Sequence, residues 1–471
     1  MHTQNRDWEN ELLHEVSQHY AQAEATLLEF LRIPSVQEAS IPDAPFGEPV
    51  RQALSQMAAW AKELGLQVNQ TSHYLTIDLG DGASPEAVGI LAHADVVPFG
   101  EGWHFAPTGQ LVANKIYGRG ALDDKGPAIA TLFAMAALHR LNAPLNRPVR
   151  LIIGGNEESG CECIKKYAAE NQPPALGFSP DANFPVIFAE KGIAMYHITL
   201  PAVTEEQRLL TLQAGTVVNA VPGKAEAVLN LTAADVNQIL QNNFDRELAA
   251  GWLEVQPLPE DTSKITCLGK AAHGSQPDKG RNAAALLLHV LSNLPLNDAE
   301  LNACRQLYQL FGHDYWGEAA GLATADEVSG QLTLNLGVLK LQDNAIQIDL
   351  DLRYPVTSEY NAIYQQLTKV CTANGWQIRE SEHKAPLYVP TDQKPVTTLL
   401  ELYREYEPQT QPISTGGGTY CRAFDNFVAF GPLRADMADV MHQADEYITR
   451  EDFQFLQRIY TQAIWRLAGA K

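Results

Sequence analysis

The sequence predicts an α/β chain interrupted by a large α+β insert, and three observations carry that prediction. Short apolar runs alternate with stretches of helical periodicity over residues 1–187, the pattern of strand and helix layers. After about Phe188 the pattern changes. Leu332-Thr333-Leu334-Asn335-Leu336 and Ile346-Gln347-Ile348-Asp349-Leu350-Asp351-Leu352 alternate apolar and polar residues, as antiparallel strands with one wet face do. Finally, 471 residues exceed what one typical core organises, so two domains are expected.

Taken in order, residues 8–31 read as helical, with Leu12, Leu13, Val16, Leu27, Leu28 and Leu31 at apolar positions and Pro34 beyond the end. Residues 50–65 form a second amphipathic stretch that stops near Gly65. Strands are expected at Thr76–Leu79 and Ala87–Ala92. Pro127 opens a helix running to about Leu141, a favoured place for proline. Val149–Ile153 and Leu176–Phe178 are further strands. The insert, 188–386, carries the two alternating strands joined at Gln342–Ala345 and helices near 282–294 and 358–373. Its length could hold two α+β units. From 387 to 471 the chain returns to the first domain, with a strand at Phe427–Phe430 and a closing helix from about Glu451 to Leu467. Thr449 and Asp452 resemble the start of a capping box. Low-complexity segments and short repeats are missing from the sequence.

The net charge of −22 argues against a nucleic-acid partner, whose phosphates it would repel; its ordinary consequence is solubility. The amino-terminal residues are polar and hold no signal-peptide core, so a cytoplasmic location is expected. The longest apolar stretch, Ala128–Leu138, is too short to span a bilayer. Cys161 and Cys163 form a Cys-x-Cys with no second thiol pair to complete a metal site, so the six cysteines are read as reduced thiols of a cytosolic protein.

The chemistry is concentrated in short motifs. His93 and Asp95 stand at the end of an apolar run, in Leu91-Ala92-His93-Ala94-Asp95. Gly118-Arg119-Gly120-Ala121-Leu122-Asp123-Asp124-Lys125-Gly126 follows, then Asn156-Glu157-Glu158-Ser159-Gly160, then Asp181 and His442. Each has an ordinary reading alone. A lone His-x-Asp is most often a surface pair, Asp123-Asp124 could be an acidic turn or helix start, and Glu157-Glu158 a solvated loop. Their context outweighs this. His93, Glu157-Glu158, Asp181 and His442 each fall at or beyond the carboxyl end of an expected strand, where open α/β sheets bind ligands. Imidazole and carboxylate are the ligands Zn²⁺ takes when no thiolate is used. A carboxylate can bridge two ions, and another outside the ligand set can deprotonate water.

This order of motifs, with His273-Gly274 between them, resembles that of the co-catalytic zinc exopeptidases, the superfamily of aminoacylases and carnosinases. Ser179-Pro180-Asp181, Val218-Asn219-Ala220-Val221-Pro222-Gly223 and Thr415-Gly416-Gly417-Gly418-Thr419-Tyr420 make the chain most similar to bacterial PepV-type dipeptidases. The likeness spans nearly the whole chain and is more specific to the superfamily than to a substrate.

The resemblance implies a zinc-exopeptidase catalytic domain (1–187 and 387–471), a mixed sheet flanked by helices, with an inserted α+β lid domain (188–386) that would close over small substrates. It implies one Zn²⁺ on His93, Asp123 and Asp181 and another on Asp123, Glu158 and His442, with a hydroxide bridging beside Asp123. Mn²⁺ or Co²⁺ are acceptable substitutes for such ligands. It also implies a cis Asp123–Asp124 peptide, Glu157 as general base and Asp95 as the group orienting His93. His273 would stabilise the oxyanion. Asn219, Arg353 and the amides of Gly416, Gly417 and Gly418 would hold the substrate, Arg353 gripping its carboxylate with a bidentate fork. The expected activity is hydrolysis of unblocked dipeptides, with aminoacyl-histidines such as carnosine among the candidates, by a single chain acting as a monomer without nucleic-acid or membrane partners. An N-acyl-amino-acid amidohydrolase and a catalytically inactive peptide-binding protein are the alternatives.

Overall fold

The structure is a computed structural model that describes residues 2–201 and 207–469. Two compact units are present. The first comprises residues to Ala189, Leu387–Ile413 and the chain from Thr419; the second comprises Glu190–Pro386 and Ser414–Gly418.

The first unit is built on a mixed sheet. Its strands lie in the order Gln67–Gln70, Tyr74–Leu79, Val149–Gly154, Val88–His93, Leu176–Ser179, Phe427–Ala429, Ile187–Glu190, Leu387–Tyr388. The four central ones, from Val149–Gly154 to Phe427–Ala429, run parallel. Val149–Gly154, Val88–His93 and Leu176–Ser179 are buried throughout, which is why they read as continuous apolar runs rather than as alternation. Gly177 lies in the middle of this stack because a Cβ there would come within 2.1 Å of the Gly89 carbonyl.

The helix Lys125–Arg140 buries every residue from Lys125 to Leu138. It packs on Val88–His93 and Val149–Gly154 and is covered in turn by Tyr20–Leu31, Arg450–Ala468 and His2–Gln18. A helix enclosed on all sides needs no polar face. The single helix expected over 8–31 is two, His2–Gln18 and Tyr20–Leu31, because His19 leaves the helical basin (φ −110°, ψ 7°). The last helix, Arg450–Ala468, starts where Thr449 Oγ1 accepts the Asp452 N–H at 3.0 Å. The Asp452 carboxylate accepts the Thr449 hydroxyl, at 2.6 Å, so only half of the capping box forms.

The second unit has one continuous antiparallel sheet of eight strands. Thr333–Gln342 and Ala345–Tyr354 pair through a two-residue turn, Asp343 and Asn344, at φ 52° and 60°. Aspartate and asparagine tolerate that left-handed backbone, and it matches the twist of a hairpin. The helices Ala283–Leu291 and Tyr360–Ala373 fall where periodicity placed them. The length that could hold two α+β units folds around a single apolar core, which includes Tyr196, Leu209, Ile265, Leu287, Leu336 and Leu350.

Candidate active site

In the first unit, chain ends of the parallel strands deliver the motif residues. His93 is the last residue of its strand and is fully buried, 0% exposed. Glu157 and Glu158 follow the strand ending at Gly154, and Asp181 follows the one ending at Ser179. Asp123 ends a glycine-rich turn that runs directly into the helix at Lys125, and the Asp123–Asp124 peptide is cis.

These residues meet around one carboxylate. Asp123 Oδ1 lies 3.0 Å from His93 Nε2, and its Oδ2 lies 2.9 Å from His442 Nε2. Asp181 Oδ2 is 3.6 Å from His93 Nε2. Both oxygens of Glu158 are 3.2 Å from His442 Nε2. Ligand atoms of His93, Asp123 and Glu158 lie within 4.8 Å of one another, as do those of His93, Glu157 and Asp181.

The electrostatics of this group are those of a cation site. Burial raises the Asp181 carboxyl well above its ordinary range, and the Asp123 charge raises it further. Burial, with the charges of Glu158, Asp95 and Asp123, pushes Glu157 up to about 7. Hydrogen bonds to Asp123 and Glu158 push His442 up to about 10. Burial would lower His93, but its bonds to Asp123 and Asp95 outweigh this and hold it well above its usual value. Several carboxylates sharing a desolvated space hold positive charge strongly. Two imidazoles and three carboxylates are a donor set that suits Zn²⁺, Mn²⁺ or Co²⁺, so the residues fit the metals the sequence implies.

Supporting contacts orient the donors. The His93 Nδ1–H donates to the Asp95 backbone carbonyl at 3.0 Å, with the Asp95 carboxylate at 3.4 Å. This leaves Nε2 free to act as a ligand. The Asp95 carboxylate does something the sequence did not suggest. Its two oxygens accept the backbone N–H groups of Glu157 and Glu158, each at 3.1 Å. Asp124 accepts the His93 N–H at 3.0 Å. The Tyr420 ring stands nearly perpendicular to that of His93, centroids 6.3 Å apart, and its hydroxyl is 2.9 Å from Cys163 Sγ. Glycine is required at 154 because a Cβ would lie 1.9 Å from that hydroxyl. Glu446, buried beside the Asp123 turn, went unnoticed in the sequence. No disulfide forms among the described residues.

The remaining expected residues belong to the second unit, where they form a cluster of their own. Gly274 N–H donates to the Asn219 carbonyl at 2.7 Å, and Ala220 pairs with His273 in a short antiparallel bridge. Asn219 and His273 are both exposed. His273 Nδ1 accepts the Ser275 N–H at 3.1 Å, so the neutral ring carries its proton on Nε2. Partial desolvation of the ring by its surroundings lowers its pKa, and the Arg353 charge lowers it further, which favours that neutral donor.

Arg353 differs from its expected setting. It is 3% exposed, and the edge formed by its Nε and Nη2 is engaged by Asp351 at 2.7 and 2.9 Å. Nη1 donates to the Gly416 carbonyl at 3.3 Å. A guanidinium has five N–H donors, so Nη1 and Nη2 each retain one beyond these bonds. The Gly417 N–H is committed to Thr415 Oγ1 at 3.0 Å. Gly416 packs closely, a Cβ there coming 2.9 Å from that of Ser275. Gly418 is exposed.

Comparison with known proteins adds an independent line. The sequence profile of peptidase family M20/M25/M40 matches residues 89–466. Putative dipeptidase YtjP of Bacillus subtilis (strain 168) is 34% identical over 451 residues, which cover 93% of this chain and 96% of that protein. Among solved structures, human carnosine dipeptidase 1 is similar with a TM-score of 0.58 at 15% identity, over 98% of both chains. The di-peptidase Dug1p from Saccharomyces cerevisiae gives a TM-score of 0.56 at 13% identity, again over 98% of both chains. At these identities the structural likeness is one of fold.

Proposed function

This chain belongs to peptidase family M20/M25/M40, a metal-dependent family, and from that premise we propose that it hydrolyses unblocked dipeptides at a two-metal site. His93, Asp123 and Asp181 would hold one Zn²⁺; Asp123, Glu158 and His442 would hold the other. What supports this most directly is Asp123, whose two oxygens face two different imidazoles at 3.0 and 2.9 Å. Ions bound there would act as Lewis acids on the scissile carbonyl and acidify water.

The chain's own residues supply the rest. Glu157 takes the proton of the attacking water and returns it to the leaving amine. Asp95 fixes the His93 ring and the amides of the Glu157–Glu158 turn. His273 Nε2–H stabilises the oxyanion, while Asn219 and the Gly416–Gly418 segment contact the substrate. Arg353 reads the substrate's carboxylate with the Nη1 and Nη2 donors that Asp351 and Gly416 leave over. Names of relatives such as putative dipeptidase YtjP favour dipeptides; aminoacyl-histidines such as carnosine are included in the proposal. A cytoplasmic location is also proposed. No described helix is long and apolar enough to cross a membrane.

A panel of free dipeptides and their N-acetylated forms, assayed with added Zn²⁺, Mn²⁺ or Co²⁺, tests the reading. Free dipeptides are expected to turn over faster with every active metal. A reversed preference would make the enzyme an N-acyl-amino-acid amidohydrolase.

Dipeptide amides are expected to lose about 10–100-fold in kcat/KM on the wild-type enzyme, the worth of a hydrogen bond to a charged group. Arg353→Met should show a similar loss with the free dipeptide, and also a lower Tm, because it leaves buried Asp351 without its partner. Equal rates for dipeptide and amide would show that Arg353 does not read the carboxylate.

Activity is proposed to reside in a single chain. Mixing a His273→Ala chain with a Glu157→Gln chain, each nearly inactive, should therefore restore nothing. Recovered activity would mean that two chains share each site.

A further inference from the structure

Four residues after His442 the chain buries a carboxylate completely: Glu446 is 0% exposed. Its carboxylate is surrounded by donors. Oε1 accepts the backbone N–H groups of Leu122, Gly120 and Asp123 at 2.9, 3.1 and 3.2 Å. Oε2 accepts Gly120 N–H at 3.1 Å and Arg119 Nη1 at 2.8 Å. The glycine-rich turn makes this possible. Gly118 and Gly120 sit at φ 155° and 93°, and its amides converge on one point, as in the backbone concavities that bind anions.

Further bonds from the turn reach the backbone of the same segment. Arg119 Nη1 donates to the Gln443 carbonyl at 3.0 Å, and Gly118 N–H donates to the Glu446 carbonyl at 2.9 Å. Next in the chain, Tyr447–Thr449 pairs with Lys115–Tyr117. The turn bearing Asp123 and the segment bearing His442 thus leave the same short ladder and are tied again by one ion pair. Asp445 anchors the outer side of that segment by accepting the N–H groups of His104 and Phe105 at 2.8 and 3.1 Å.

We propose that Glu446 is a positioning residue that sets the approach of Asp123 to His442, and through it the affinity for the ion those two share. This rests on the reading above, in which both are ligands. Glu446 itself is no ligand and touches no reacting atom. Its role requires a carboxylate rather than a polar group of the same shape. Glu446→Gln would place an NH₂ donor against amide and guanidinium donors, so at least one N–H would lose its acceptor and the turn would shift.

The test is metal uptake by apo-protein, with Zn²⁺ followed by calorimetry and Co²⁺ by visible absorption. Wild type should take up two ions. Glu446→Gln should keep its far-UV circular dichroism and bind one ion normally. It should bind the other about 10–100-fold more weakly, the usual effect of disturbing a group that orients ligands. Its Co²⁺ absorption should change, kcat should fall with little change in KM, and excess metal should restore part of kcat. Wild-type affinity for both ions with an unchanged Co²⁺ spectrum overturns the proposal while leaving the ligand assignment intact. Uptake of a single ion by wild type overturns both. Should Glu446→Gln not fold, Arg119→Met carries the test, since it leaves the amide contacts in place. Several-fold weaker binding of one ion supports the proposal, and unchanged binding of both overturns it.

Discussion

Chelation is expected to abolish turnover completely, and activity should return only as the second equivalent of divalent ion is added back. The geometry around Asp123 is the reason. Its oxygens address His93 on one side and His442 on the other, at 3.0 and 2.9 Å. The five proposed ligands therefore divide into two sets only if Asp123 is counted in both. A mononuclear site would leave either the pair of Asp181 and His93 or the pair of Glu158 and His442 without a function. Buried carboxylates also repel one another once counter-charge is removed, so the apo-protein should be less stable than the loaded one and its Tm should rise with metal. Metal analysis of fully active enzyme that finds one tightly held ion would defeat the two-metal scheme.

Glu157→Gln should retain both ions and lose roughly 10²–10⁴-fold in kcat, the usual contribution of a general base. The substitution keeps the shape of the side chain and removes only its capacity to take a proton. The backbone of the turn should stay in place, because Asp95 holds it through the N–H groups of residues 157 and 158 rather than through their side chains. Glu158→Gln should behave differently and weaken one metal site, since its oxygens face His442 at 3.2 Å. A Glu157 variant that lost metal, beside a Glu158 variant that lost only turnover, would mean the two roles are exchanged.

Much of this architecture was legible in the residues because it rests on local periodicity. The run ending at His93 is a buried strand, and the alternation from Ile346 to Leu352 belongs to a strand too, although the wet face it implies is lost: Gln347 and Asp349 are half-buried and Asp351, Thr333 and Asn335 are buried. Reading a pocket-edge histidine from such a run works because strand ends are where a parallel sheet opens. What stayed hidden depends on partners far apart in sequence. Arg353 was expected as a carboxylate anchor, and its burial went unforeseen: Asp351, on the same face two residues earlier, neutralises it. Glu446 carries no mark in the sequence; only the folded turn supplies the amides that make its burial tolerable. Asp95 looked like a partner for His93 alone, since backbone amides of another loop leave no trace in composition. The strand order of either sheet was equally out of reach.

The path of the chain through the first unit bears on its biosynthesis. Phe427–Ala429 lies beside Leu176–Ser179, so the sheet closes only after the whole intervening insert has been made. His442 arrives later still. A nascent chain released early could carry His93, Asp123, Glu158 and Asp181 and still lack the imidazole that faces Asp123 Oδ2. Domains tend to fold as they emerge, but this one must wait for Phe427–Ala429 and the segment that bears His442. A product cut short before His442 would therefore lack one imidazole of the proposed ligand set and is expected to have no catalytic power.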